Sequence, residues 1–280
     1  MKIGIIANKN YSEKISPFFG GFLNWLKEND IDFCVEAEFA EIAGYPHGIS
    51  ALSMMKTVNF LIVLGGDGTI LRAARLMQHN QIPMLGIRFG RLGFLAELSE
   101  QTYEKELINI LKGEYRLDER MVLEAKIGNK PKFLYALNDV VIFRSHSSKL
   151  ITSDVYIDDD YMNTFRSDGL IVASPTGSTA YSMSSGGPIV TPGINAVIIN
   201  PICPHMLSNR PTVISGDSNI VIRFKELDDG CTISFDGQQD ILAHKDTIIR
   251  IKKAPYKVKL VRSVQNDFFS VVRNKLKWTQ

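Results

Sequence analysis

The chain has 280 residues, of which 45% are hydrophobic and 22% charged, and its 32 basic residues against 30 acidic ones leave a net charge of +2. That length suits two domains, and that composition excludes disordered and fibrous classes. The near balance of charge argues against a dedicated nucleic-acid binder, whose affinity rests on a strong positive field. Taken in order, the first 115 residues alternate between strand and helix. Ile3 to Ala7 is a short apolar run of the kind a buried strand shows. Ser12 and Glu13 can open a helix over Glu13–Asn29, with Ile15, Phe18, Phe19, Phe22, Leu23 and Leu26 on one face. Phe33 to Phe39 alternates weakly and reads as a second strand.

Phe60-Leu61-Ile62-Val63-Leu64 is a strong buried strand that runs into Gly65-Gly66-Asp67-Gly68-Thr69 and then a helix carrying Leu71, Ala73, Ala74 and Met77. Met84 to Ile87 is another strand, and Tyr103 to Lys112 a helix with Gly113 at its C-terminal cap. Strands alternating with helices predict a doubly wound, parallel-type sheet. After Tyr115 the pattern changes. Val122–Ile127, Phe133–Phe143, Asp154–Ile157, Leu170–Ser174, Asn219–Phe224, Cys231–Phe235, Thr247–Lys252 and Lys257–Val261 all read as strands, which predicts an all-β second domain. Asp158-Asp159-Asp160 reads as a turn, since it lacks the spaced ligands of a calcium loop. From Asp267 helical spacing returns, with Phe268, Val272 and Leu276 four apart.

Three cysteines, Cys34, Cys203 and Cys231, are far apart and odd in number, so neither a disulfide framework nor a zinc site is expected. Met1 to Ala7 is too short an apolar run for a signal peptide, and nothing approaches a membrane span. A soluble, cytoplasmic protein is expected. Charge is uneven along the chain: nine basic residues against Asp267 alone between Arg250 and Gln280 give a local +8, so the remainder carries −6.

Three segments could carry chemistry. In Gly65–Thr69 a buried strand ends, glycines permit a tight turn, and a helix begins, which is a setting for an anion near backbone N–H groups. An acidic residue there, Asp67, would repel phosphate unless it serves a metal, a hydroxyl or a hydrogen-bond donor. The stretch Asp168 to Pro188 is dense in small and hydroxyl residues that admit a ligand close to the backbone and supply donors and acceptors. Asn138-Asp139 sits inside an apolar strand, where polar side chains are costly unless satisfied, by a ligand or by a turn at the strand's end.

With these three motifs the sequence resembles the NAD kinase family of bacterial type, ATP- or polyphosphate-dependent, from Ile3 to about Val264. Gly65–Thr69 alone is shared with diacylglycerol, sphingosine and phosphofructokinase-type kinases; Asp168–Pro188 beside Asn138-Asp139 looks like NAD kinase. Leu92-Gly93-Phe94-Leu95 and Phe235-Asp236-Gly237-Gln238 fit the same family. One departure is that many members have Asn-Glu where this chain has Asn138-Asp139.

The resemblance implies phosphoryl transfer from ATP or polyphosphate to the 2′-hydroxyl of the adenosine ribose of NAD. Asp67 would be the general base, and Gly66 and Gly68 would give the phosphates room. Asn138 and Thr179 would face the adenine with Ala180 close by, Asp139 would hold ribose hydroxyls, and Asp168 would receive the nicotinamide amide. Tyr181 and Ser184 would line the ribose and phosphate side. Phe94, Thr176, Ser182 and Met183 belong to the matching segments, and Arg72, Lys149, Arg166 and Gln238 match positions that contact substrate or phosphates. Mg2+ or another divalent cation would arrive with ATP, and no protein metal site is expected. The resemblance further implies an α/β domain over 1–117 plus about 265–280, a β-rich NAD-binding domain over 118–264, and a homodimer or homotetramer through the latter. A lipid or sugar kinase of the same superfamily and a non-catalytic NADP(H)-binding sensor are the alternatives.

Overall fold

The computed structural model describes residues 1–90, 92–145, 149–227, 230–264 and 267–278. The chain forms two compact units, Met1–Glu119 with Val258–Gln280, and Arg120–Lys257.

The first unit contains β1 (Lys2–Ala7), α1 (Ser12–Glu28), β2 (Asp32–Glu36), α2 (Ala37–Ile42), β3 (Gly48–Ile49), α3 (Ala51–Met54), β4 (Phe60–Leu64), α4 (Asp67–Met77), β5 (Met84–Arg88), β6 (Leu98–Ser99) and α5 (Tyr103–Leu111). β1 lies between β2 and β4, and β4 beside β5, all parallel, with Ile5 opposite Ile62 and Ile62 opposite Leu85. Ile3, Ile5, Ile62, Leu64, Leu85 and Ile87 pack with Ile15, Phe19, Phe22 and Leu26 of α1 in one core. Each such side chain contributes about 1.5–3 kcal/mol by leaving water. Phe33 to Phe39 is a strand only as far as Glu36; Ala37–Ile42, rich in the helix formers Ala and Glu, turns helical instead.

Strand β7 (Arg116–Ile127) leads on to β8 (Leu134–Ala136), β9 (Asp139–Arg144), β10 (Ile151–Ile157), β11 (Asp160–Ser167), β12 (Gly169–Ala173), α6 (Tyr181–Ser184), β13 (Ala196–Ile202), β14 (Thr212–Ser215), β15 (Ile220–Glu226), β16 (Cys231–Phe235), β17 (Gln239–Ala243) and β18 (Ile249–Arg262). Within the second unit six strands form an antiparallel sheet in the order β14-β13-β12-β9-β16-β17. Another antiparallel set joins β11, β10, β15 and Ile249–Ile251 of β18. Asp158 and Asp159 turn between β10 and β11 with positive φ, and Asp158 Oδ1 accepts the Asn219 N–H at 2.8 Å.

The two-residue period of β9 decides where its side chains go. Val140 and Ile142 enter a core with Leu170 and Val172 of β12, Ile233 and Phe235 of β16, and Ile220 and Ile222 of β15. Val141 lies on the opposite face with Ile171, Ala173, Val190, Ile198 and Ile202. That second face carries the site described below.

Thr247–Lys252 and Lys257–Val261 are one continuous strand, β18, with Ala254-Pro255 inside it. Its end belongs to the first unit, because Leu260 stands opposite Met84 of β5 in parallel register. The chain thus re-enters the first unit at Val258, earlier than the expected 265. Helix α7 (Phe268–Leu276) follows, capped by Asp267 Oδ1, which accepts the Ser270 N–H at 2.9 Å.

Candidate functional site

In the first unit, β4 ends and Gly65 takes φ +153°, a conformation that favours glycine. A Cβ on Gly65 would overlap Thr69 Oγ1, whereas one on Gly66 would meet open space. Asp67 begins α4, and its carboxylate receives two consecutive backbone donors: Phe94 N–H at 2.8 Å on Oδ2 and Leu95 N–H at 3.0 Å on Oδ1. Gly93 lies so close that any side chain there would overlap the carboxylate. Each oxygen retains acceptor capacity beyond these bonds. Lys275 of α7 donates to Leu92 O, and its ammonium sits 5.7 Å from the centre of the Phe94 ring.

Arg72 is placed differently from a free phosphate ligand. Its terminal nitrogens lie 2.7 and 2.6 Å from the two Glu36 oxygens, and one also donates to Ala7 O at 3.1 Å. The fork braces the ends of β1 and β2 against α4, and Glu36 is buried beneath it. Fork-to-carboxylate pairing of this kind fixes orientation as well as charge.

In the second unit a pocket of about 530 Å3 opens on the second face of the six-stranded sheet, lined by Asn138, Asp139, Val141, Phe143, Ala180, Tyr181, Ser234, Asp236 and Gly237. The expected strand Phe133–Phe143 breaks at Leu137-Asn138, because the backbone there is taken by two turns. Asp236 accepts Leu137 N–H at 2.9 Å on Oδ2, and Asn138 N–H at 2.7 Å and Asp139 N–H at 3.1 Å on Oδ1. From the other side Ser174 donates its N–H to Asn138 O at 2.8 Å and its hydroxyl to Leu137 O at 2.5 Å. A Cβ on Gly177 would overlap Asn138 O, so this turn admits only glycine there. Asp139 is 4% exposed. Burial, and then the neighbouring Asp236 charge, push its carboxyl up to about 7.

The remaining expected residues divide by exposure. Ala180 and Tyr181 line the pocket, and Tyr181 is half exposed at its rim. Thr179 is partly buried, with its hydroxyl on Thr176 O at 3.1 Å. Thr176 and Ser182 are buried braces: Thr176 Oγ1 accepts from Arg120 at 3.3 Å, and Asn200 Nδ2 donates to Ser182 O at 2.9 Å and lies 3.3 Å from its hydroxyl. Met183 is partly buried and Ser184 exposed on α6. Asp168 forms an ion pair with Arg144 at 3.1 Å. Lys149, Arg166 and Gln238 are exposed; Gln238 gives its N–H to Phe235 O at 2.9 Å in the β16–β17 turn.

Sequence reading missed Asp236 as a site residue. Its signal was the Asp-Gly pair between two alternating strands, a hairpin turn in which both residues take positive φ, as Asp236 (53°) and Gly237 (63°) do. Val141 and Phe143, the apolar floor, were hidden in a run read only as strand.

The sequence matches the family model described as the ATP-NAD kinase N-terminal domain over residues 3–115, and that of the ATP-NAD kinase C-terminal domain over residues 137–263. It is 37% identical over 283 residues to an NAD kinase of Syntrophotalea carbinolica, covering 99% of this chain and 98% of that one. It is 39% identical over 279 residues to an NAD kinase of Caldanaerobacter subterraneus subsp. tengcongensis, covering 98% of each. Among solved structures, yeast NADH kinase complexed with NADH is similar with a TM-score of 0.88 at 25% identity, over 100% of this chain and 88% of that one. An NAD kinase from Archaeoglobus fulgidus in complex with ATP is similar in fold, with a TM-score of 0.77 at 24% identity over 99% of both chains.

Proposed function

This chain belongs to the NAD kinase family, and from that premise we propose how its residues divide the work. Its activity is phosphoryl transfer to NAD. The second unit's pocket holds the adenosine end of NAD, with Asn138 and Thr179 toward the adenine, Ala180 beside it and Asp139 on ribose hydroxyls. The observation that carries this reading is the Asp139 carboxyl, buried in the pocket wall on a backbone that Asp236 and Ser174 fix from two sides. A carboxyl group there suits a ribose hydroxyl, with which it pairs as acceptor when ionised and as donor when protonated.

In this reading Asp168 takes the nicotinamide amide, Tyr181 and Ser184 flank the ribose and phosphates, and the exposed Lys149, Arg166 and Gln238 contact substrate or phosphates. The open space over Gly66, with Gly68 on the same turn, admits donor phosphates. Asp67 accepts the proton of the 2′-hydroxyl as that oxygen attacks the γ-phosphorus of ATP, a contribution of about 10²–10⁴ in rate. Alignment and charge neutralisation supply the rest. Among the described residues no group of three or more His, Cys, Asp or Glu is placed to hold a metal ion; in this reading a divalent cation arrives with ATP. The β-rich unit, with β14 and β17 as sheet edges and Val213 and Leu242 exposed on them, is the surface for a homodimer or homotetramer. No helix among the described residues is long and apolar enough to cross a membrane.

The test is a coupled assay in which Mg-ATP or inorganic polyphosphate is incubated with NAD and NADP is detected by an NADP-specific dehydrogenase. Asp67→Asn is expected to lower turnover more than about tenfold while NAD still binds. Retention of more than a tenth of the rate removes Asp67 as the base, and unchanged NAD affinity in Asp139→Ala removes Asp139 from the pocket's function.

A further inference from the structure

Arg262 ends β18 and is 6% exposed, deep in the first unit. A buried guanidinium is costly unless its donors are met, and each edge of this one is used. Nε lies 3.4 Å from Asp118, one terminal nitrogen 2.9 Å from Glu97, and the other 2.9 Å from the carbonyl of Phe94. Glu97 is itself buried, and its second oxygen accepts the Ser263 N–H at 2.9 Å. Its own N–H is bonded to Gly86 O of β5 at 3.1 Å. The guanidinium therefore has one anchored position.

The carbonyl it grips belongs to the peptide between Phe94 and Leu95. The N–H of that same peptide is the Leu95 donor to Asp67 Oδ1. One peptide group thus stands in line between a cation and the carboxylate, accepting from Arg262 at its oxygen and donating to Asp67 at its nitrogen. Hydrogen bonds in such a chain polarise one another, so a charged donor at one end strengthens the bond at the other. The second donor, Phe94 N–H, lies on the neighbouring peptide and is held by the same segment.

We propose that Arg262, anchored by Glu97, is a positioning residue for the phosphoryl transfer, acting through the Phe94–Leu95 peptide to fix the Asp67 carboxylate. The inference rests on the reading of Asp67 as the base. It assigns a task to one cation of the basic C-terminal stretch, over 90 residues beyond the last residue expected to touch the nicotinamide end. The displacement it prevents is small, yet errors of about 1 Å in a reacting group cost up to about 100-fold in rate.

The experiment is a double-mutant cycle on the full chain with saturating Mg-ATP and varied NAD. Arg262→Gln is expected to lower kcat about 10- to 100-fold with the KM for NAD changed less than about twofold. Arg262→Lys, which keeps a cation but loses the fork, is expected to recover part of that loss. Glu97→Gln, which leaves Arg262 in place without its anchoring charge, gives a loss in the same direction and serves if Arg262→Gln fails to fold, as thermal melting shows. In an Asp67→Asn background the Arg262 or Glu97 change is expected to add little, because the group it positions is gone. An equal fold-loss with and without Asp67, or a rise in KM in place of the fall in kcat, overturns the proposal. Asp67→Asn measured alone separates the two claims: a retained rate there overturns the base and the positioning role together, whereas a lost rate with additive effects overturns the positioning role only.

Discussion

Asp236 both holds Asp139 and opposes it: its Oδ1 accepts the Asp139 N–H at 3.1 Å, while its charge adds to burial in pushing the Asp139 carboxyl up to about 7. The consequence for stability has a definite sign. Between the ordinary value of 3.8 and about 7, the folded protein keeps the Asp139 proton while the unfolded chain has lost it. Stability from this group is full below about 4 and is lost as pH rises to about 7, by at most about 4 kcal/mol. Asp139→Asn is expected to match the native protein near pH 4 and to become progressively more stable than it up to pH 7, the gap then levelling off. Melting temperatures of both proteins across that range check it, and a gap that does not widen counts against a buried acid.

The three N–H groups that Asp236 collects make it a support for the pocket as well as a wall of it. Asp236→Ala leaves them without their acceptor, at about 1–3 kcal/mol for each that stays buried. NAD binding is expected to weaken more than about tenfold. Asp236→Asn tolerates the positive φ of this turn and keeps one acceptor oxygen, so it falls between. Calorimetric titration with NAD ranks the three proteins, and equal affinities would take the turn out of the site.

Gly66 and Gly93 make a matched pair of tests. Alanine at Gly93 overlaps the Asp67 carboxylate, whereas alanine at Gly66 meets nothing within 4 Å, at φ −91°. Gly93→Ala is expected to reduce kcat about 100-fold through displacement of the carboxylate. Gly66→Ala is expected to melt like the native protein yet raise the KM for ATP, because its methyl would occupy the open space that the proposed function gives to phosphate. Steady-state kinetics with varied ATP separate these outcomes from a general loss of fold.

Asp267→Ala removes the cap of α7 and is expected to cost about 1 kcal/mol. For a chain of this size that lowers the melting temperature by about 2–4 °C. Because Lys275 of the same helix reaches Leu92, next to Gly93, hydrogen exchange at Phe94 and Leu95 is expected to rise in this variant.

What sequence reading captured follows from local rules. The strands Ile3–Ala7 and Phe60–Leu64 are apolar throughout because both faces are covered, and the glycine turn after Leu64 announces itself by composition. Asp67, Asn138 and Asp139 were visible as polar residues in places that disfavour them. What stayed hidden depends on partners distant in sequence. Asp236 braces Asn138 from 98 residues away. Ser182 looks like its hydroxyl neighbours until Asn200 is seen to bury it. Strand β11, Asp160-Tyr161-Met162-Asn163-Thr164-Phe165-Arg166-Ser167, is too polar to stand out and is formed by pairing with β10. Arg262 reads as one more solvated charge at a strand end, and only the fold places it against Glu97 and the Phe94 carbonyl.

The end of β18 also sets an order of events on the ribosome. Val258 to Arg262 is made only after every residue of the second unit has been synthesised, yet it supplies the parallel neighbour of β5 and the clamp on the Phe94–Leu95 peptide. Until then the nascent first unit presents a bare sheet edge at Met84 and lacks the guanidinium behind Asp67. The Phe94–Leu95 peptide therefore gains its clamp late in translation, after the strands lining the second unit's pocket exist, and a nascent chain stalled short of Val258 carries both signature motifs without that clamp.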